Sequence, residues 1–418
     1  MLTGIKNMNE VWQKRLFVLM TAAAIVPLYF ENTAGIAGAV FLILLILLSI
    51  VSISYRDISS SKAEKGWVWA SAIYALVFVI SFLLRPPYTD DGIWRLSSPG
   101  FILLLLAWFW VGIKLQLGSF VIKSVAFSSI IFAVILLVAE LYISGGWFTG
   151  YRYGNVLADF GKTGFYLPLT AFLFGILFLK ERKKQYLALY LLAFLLSGLV
   201  MSRTALAMVT LPLAVTVIYF LFSSKNLSGI KKTGILVSSV TVIAVSMYLA
   251  KGKLDETMHD YKLAEQNNYY SSLGLRVAMF KVGSEMAEKY FLFGVGPNSY
   301  KADLRAYVTT TNYSEIVKET IPTFTHLHNQ FLMDIVLSGV AGFVSLIMFI
   351  GYPVKLFWRL FRSGRREEAV FGIGFMAGLW FILLFGAIFT YTYTTILYVM
   401  TVGAMILFYR DDLGRKHG

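Results

Sequence analysis

Two arginines and two histidines in this sequence have side chains and settings that could carry chemistry: Arg203, Arg276, His326 and His328. Arg203 stands alone between two apolar runs in Val200-Met-Ser-Arg-Thr-Ala-Leu. A guanidinium near a membrane faces the helix bundle or a water-filled cavity, where it can grip phosphate through charge-assisted, bidentate hydrogen bonds. The alternative is an arginine that snorkels at a tight turn between spans. Arg276, in Ser272-Leu-Gly-Leu-Arg-Val-Ala-Met-Phe, has apolar neighbours rather than a charge cluster. The bland reading is a solvated or headgroup-facing residue on an interfacial helix. His326 and His328 sit in Thr325-His-Leu-His-Asn-Gln-Phe, and only His259 and His417 complete the histidine set. An imidazole with an ordinary pKa of about 6.5 can take a proton from a sugar hydroxyl. The other reading is an interfacial pair capping the following span with its polar tips. Metal binding is a weaker expectation, since histidines at i and i+2 converge on a metal only from a strand or turn, and no third ligand is evident.

Other chemistries have less support. Asp90-Asp91 is a candidate carboxylate pair, Asp159, Asp255 and Asp260 are scattered, and Glu140 and Asp334 lie in or near apolar runs. No G-x-x-x-x-G-K and no G-x-S-x-G occurs, which disfavours nucleotide-driven transport and a serine nucleophile elbow. With no cysteine, disulfides, thiolate zinc sites and a cysteine nucleophile are excluded. The net charge of +14 is better explained by membrane topology and anionic headgroups than by nucleic acid.

The elements that must position these residues are apolar helices. The chain has 418 residues, 58% hydrophobic and 14% charged, far more apolar than a water-soluble domain. Spans are expected at 16–30, 34–54, 67–84, 98–113, 123–143, 164–180, 186–202, 204–223, 234–250, 331–353, 369–389 and 391–409, in an all-α integral membrane fold of about 12 helices. Lys14 and Arg15 ahead of an apolar run resemble a secretory leader, but the second run follows so closely that a retained helical hairpin is the better reading. Alternate connections are basic: Lys180, Arg182, Lys183 and Lys184 fill one, and Lys355, Arg359, Arg362, Arg365 and Arg366 another. The short intervening ones hold only Arg85, Arg95, Arg152, Lys162 and Arg203. This asymmetry predicts cytoplasmic termini. Residues 1–250 then hold nine spans, 251–330 form one large outward loop with amphipathic helices, and 331–418 hold three spans and a tail. Within the loop, Leu275, Met279, Val282, Met286 and Tyr290 recur at helical spacing, and Phe293-Gly-Val-Gly-Pro-Asn-Ser is a breaker.

Taken in order, Ser202-Arg-Thr-Ala, Leu275-Arg-Val-Ala-Met-Phe, Phe293-Gly-Val-Gly-Pro-Asn, His326-Leu-His-Asn and Leu337-Ser-Gly-Val-Ala-Gly resemble the O-antigen ligase and polymerase family. Their wording is most similar to the lipopolysaccharide core ligases. The resemblance implies a GT-C-like glycosyltransferase of the bacterial inner membrane, with its active site facing the periplasm. Its expected partners are an undecaprenyl-diphosphate-linked O-antigen donor, a lipid A-core acceptor and membrane lipids, with no nucleic acid, no cofactor and no metal. Carried over by motif, Arg203 and Arg276 would bind the diphosphate, and His328 would activate the acceptor hydroxyl for inverting displacement. His326 and Asn329 would support it. Some members carry an acidic residue between the last two spans, where this chain reads Phe389-Thr-Tyr-Thr-Tyr, so no role for that carboxylate transfers. An O-antigen polymerase, a protein O-glycosyltransferase and a lipid-linked oligosaccharide transporter remain the competing expectations. A transporter should scatter ionisable and helix-breaking residues through several spans, whereas this chain concentrates polarity in one segment.

Overall fold

A computed structural model describes residues 10–25, 61–144, 160–200, 203–223, 258–266 and 268–414, together with positions 233, 237, 240 and 241. Every regular element among the described residues is helical. In chain order these are α1 (Glu10–Ile25), α2 (Lys62–Leu83), the short α3 (Asp90–Arg95), α4 (Ser97–Lys114), α5 (Gly118–Ser144), α6 (Phe160–Glu181), α7 (Lys184–Leu199) and α8 (Arg203–Ser223). A helical turn at 258–265 follows, and then α9 (Ser272–Lys289), α10 (Tyr300–Thr310), α11 (Glu315–Thr320), α12 (Gln330–Arg362), α13 (Arg366–Phe385), α14 (Thr392–Phe408) and α15 (Arg410–Gly414). Seven helices among the described residues are long and apolar enough to cross a membrane. The chain is an all-α, multi-pass membrane protein.

The runs expected at 67–84, 98–113, 123–143, 164–180, 186–202 and 204–223 each fall on their own helix, as do those at 331–353, 369–389 and 391–409. That at 16–30 is described only to Ile25, that at 34–54 lies outside the described residues, and that at 234–250 is described only at 237, 240 and 241. The two long apolar stretches 186–223 and 369–409 are each a pair of helices. The second is broken where Gly386 turns to extended backbone and Ile388–Thr390 forms a single 3-10 turn.

Helix packing sets the core. α12 packs on α2 and α13, α8 on α13, and α14 on α4 and α5. An aromatic cluster joins three of these elements: the Tyr74 and Phe349 rings stack at 4.7 Å, and Phe389 and Tyr398 meet Phe349 edge-on at 5.3 and 5.0 Å. Trp69, Ile80, Val138, Leu195 and Phe222 point outward. Outward apolar side chains on helices that satisfy their own backbone are what a lipid solvent permits.

Candidate functional site

The segment before α12 is held from below by its own helix start. Asn329 is the N-cap of α12 and its side-chain oxygen accepts from Leu332 N at 3.0 Å, satisfying one donor that a helix start leaves open. His328, just before it, takes a left-handed backbone conformation with φ 51°. That conformation is uncommon outside glycine and asparagine, and it is stabilised here by a side chain. His328 N donates to His326 Nδ1 at 3.1 Å. With Nδ1 accepting, neutral His326 carries its proton on Nε2, which donates to the Tyr391 hydroxyl at 2.9 Å. His326 is therefore fully engaged and only 7% exposed. The half-buried His328 ring lies 4.2 Å from that of His326 and 5.9 Å from Phe324, centroid to centroid, and neither of its nitrogens is hydrogen-bonded among the described residues.

Both imidazoles lie in a positive field. Burial, Arg95 and Arg276 lower the His326 pKa to about 4, and burial, His326 and Arg276 lower that of His328 to about 3. Arg276 thus faces both rings from α9. The apolar stripe foreseen on α9 is the buried side of that helix: Met279, Val282 and Met286 are all inaccessible, and α9 packs on α12.

Arg203 begins α8, and its side chain lies outside the described residues. The course of α8 is described. A Cβ at Gly374 would come within 2.8 Å of Pro212 Cα, and one at Gly378 within 3.0 Å of Met208 Cα, so α8 runs antiparallel and close against α13. That register carries the start of α8 toward the end of α13 at Phe385. Phe280, one turn after Arg276, meets Phe385 there at 6.2 Å. The backbone of Arg203 and the helix bearing Arg276 converge on one corner of the bundle.

Two of the sequence motifs dock on each other. Gly339 kinks α12 with φ 65° and ψ −156°, and the opened turn pairs with the breaker after α9. Val295 N donates to Val336 O at 2.7 Å, Gly296 N to Leu337 O at 3.0 Å, and Val340 N to Phe291 O at 2.7 Å. Gly294 has φ 65°, and a Cβ there would sit 2.5 Å from the Leu337 carbonyl carbon, so glycine is required on both counts. Asn298 completes the junction. Its Nδ2 donates to Phe82 O and Arg85 O at 3.0 and 2.7 Å, and its Oδ1 accepts from Thr89 N at 3.3 Å. The Phe293-to-Asn298 motif is a splice between the hydrophilic segment, the kink of α12 and the end of α2.

Two of the remaining carboxylates have structural partners, while Asp159 and Asp255 lie outside the described residues. Asp91 binds Arg95 Nε and Lys301 Nζ, each at 2.9 Å, so Asp90 and Asp91 do not form an acid and base pair. Asp334 accepts from Tyr74 at 3.1 Å and from Gln330 at 2.7 Å, and Gln330 in turn accepts from Phe389 N at 2.8 Å. Glu140 is buried in α5. Among the described residues, no group of three or more His, Asp or Glu side chains is placed to hold a metal ion. Sequence reasoning gave no role to Tyr391 or Arg95, whose only signals were polar or charged side chains beside breaks in apolar runs.

A curated protein of Haemophilus influenzae, named only as an uncharacterized protein, is 23% identical to this chain over 339 residues, 75% of this chain and 78% of its own length. A family model described as O-Antigen ligase matches residues 171–347, a stretch that begins within α6, includes Arg203, Arg276 and both histidines, and ends just beyond the kink of α12. Over that stretch the chain is similar to the O-antigen ligase family.

Proposed function

We propose that this chain is an O-antigen ligase, transferring O-antigen polysaccharide from undecaprenyl diphosphate to a sugar hydroxyl of lipid A-core at the periplasmic face of the inner membrane. The observation that carries the reading is His328: a half-buried imidazole whose ring nitrogens make no hydrogen bond among the described residues, fixed through its backbone by His326 and exposed to the charge of Arg276. In the reaction, an acceptor hydroxyl gives its proton to His328 while its oxygen attacks the anomeric carbon. The bond from that carbon to the diphosphate breaks, and the electron pair leaves with the diphosphate. Arg203 and Arg276 offset the charge developing there. Displacement in one step inverts the anomeric centre.

The lowered His328 pKa fits this sequence of events. A weak base is poor at the proton transfer, but a bound diphosphate cancels the field of Arg276 and makes the imidazole more basic when the donor is in place. No metal is required in this scheme, so transfer should persist in excess chelator. Twelve spans with both termini cytoplasmic would put the hydrophilic segment and both histidines in the periplasm. Since the chain has no cysteine, single cysteines can report this directly. Lys301→Cys should react with an impermeant maleimide in intact cells, and Lys184→Cys only after permeabilisation.

Gene deletion followed by lipopolysaccharide electrophoresis tests the reaction. Loss of all O-antigen from core, with polymer accumulating on the lipid carrier, supports ligation. Core bearing a single repeat would instead identify a polymerase, which uses the same donor chemistry and a second lipid-linked glycan as acceptor.

A further inference from the structure

Arg95 lies outside every motif, yet it is the most thoroughly buried cation near the histidines. Its side chain is 2% exposed. Nε meets Asp91 at 2.9 Å, Nη2 donates to the Thr325 carbonyl at 2.9 Å, and the guanidinium carbon lies 4.3 Å from the centroid of the Tyr300 ring. Nη1 has no hydrogen-bond partner among the described residues. The side chain lines a small cavity with Tyr74, Gln330 and Asp334, about 20 Å³ for water centres, which is room for one water molecule and not for a diphosphate. Burying a guanidinium is costly, and the ion pair with Asp91 alone would be worth little more than an apolar replacement. The contact that distinguishes Arg95 is the one with the loop.

We propose that Arg95 is a positioning residue: by gripping the Thr325 carbonyl and placing its cation beside His326, it holds the Thr325-to-His328 loop in the conformation that presents His328. The inference rests on the reading of His328 as the base. The groups facing His326 are Arg95 from α3, Arg276 from α9, His328 in its own loop and the hydroxyl of Tyr391 from the connection between α13 and α14. Among the described residues no carboxylate is hydrogen-bonded to it; Asp91 is taken by Arg95 and Lys301, and Asp334 by Tyr74 and Gln330. A cation on this side disfavours protonation of His326. Protonation would end the acceptance from His328 N that fixes the left-handed turn.

Arg95→Gln and Arg95→Lys in the full-length chain test this with two readouts. One is transfer kinetics against pH per folded molecule. The other is titration of the ¹⁵N-labelled histidines in detergent, without substrate. Arg95→Gln should lower kcat roughly 100-fold by loosening the loop, with the donor KM changed less than about threefold. The acid limb of transfer and the protonation of His326 should both move up toward neutrality. Arg95→Lys keeps the cation, so it should restore the acid limb and the histidine titration while kcat stays low. Should Arg95→Gln fail to accumulate, the lysine variant decides alone: a wild-type kcat in it overturns the proposal. Loss of folded protein with an unchanged pH profile and unchanged histidine titration also overturns it, because a plain structural strut would behave that way. A shifted titration in a protein whose wild type attaches no glycan would uphold the positioning role and reject the ligase reading.

Discussion

At one end of the bundle, Lys180 and Arg365 share Asp412, Lys123 and Lys183 share Glu181, Arg182 meets Glu367, and Arg410 reaches the buried Glu64. At the other end, Asp91 is shared by Arg95 and Lys301, while the fields of Arg95 and Arg276 fall on two histidines. Both ends carry cationic side chains. The difference is where the positive charge is directed. Carboxylates at the first end absorb it and tie α2, α5, α6, α13 and α15 together. At the second end it keeps two imidazoles neutral and marks the place where an incoming anion would be favoured. A cation at a helix end is thus a lock or a site according to what faces it, and residue type alone does not distinguish the two.

The contrast is broken most directly at His328. His328→Ala should reduce glycan transfer by about 10²-fold to 10⁴-fold, as loss of a general base does, with normal accumulation in the membrane; it is measured by attachment of O-antigen to core. Normal attachment in that strain would remove the assigned role. Arg276→Ala should cost about 10² to 10³ in kcat by removing charge stabilisation of the leaving diphosphate, and Arg203→Ala a similar factor. Arg276→Ala should also raise the pKa of both histidines, because its charge is among the causes of their lowering.

Acid provides the next comparison. In the unfolded chain both histidines return to about 6.5, whereas folded they titrate at about 4 and about 3. The unfolded state then binds more protons across that window, so their contribution to stability is greatest above pH 6.5 and falls as acid is added until the folded values are passed. Thermal unfolding in detergent should show this decline, and His326→Asn should flatten it. Replacing Gly339 by alanine should lower stability by about 1–3 kcal/mol from the left-handed backbone alone, read as a lower melting temperature. It should also disturb transfer, since the kink pairs with the splice after α9. Smallest of all, Arg182→Ala at the locked end, where the side chain is 55% exposed, should change stability by under about 1 kcal/mol and leave transfer untouched.

Helical spans, their order and the amphipathic α9 were legible in the linear chain, because burial in lipid demands runs of apolar side chains and a packed helix demands a stripe at its own period. Those are local constraints, and they leave a local record. The reciprocal docking of Phe293-to-Asn298 on the Gly339 kink was not legible, although both stretches were recognisable as motifs, since nothing local says that two breakers exchange backbone hydrogen bonds. The division of labour within His326-Leu-His-Asn likewise needed the third dimension. Tyr391, distant in sequence, engages His326, the ring nitrogens of His328 make no hydrogen bond among the described residues, and Asn329 is occupied with starting α12. Arg95 is the extreme case: its partners Thr325 and Tyr300 lie more than 200 positions away. Residue type and chain order set which chemistry was possible; the long-range contacts decided which side chain is held and which is left to act.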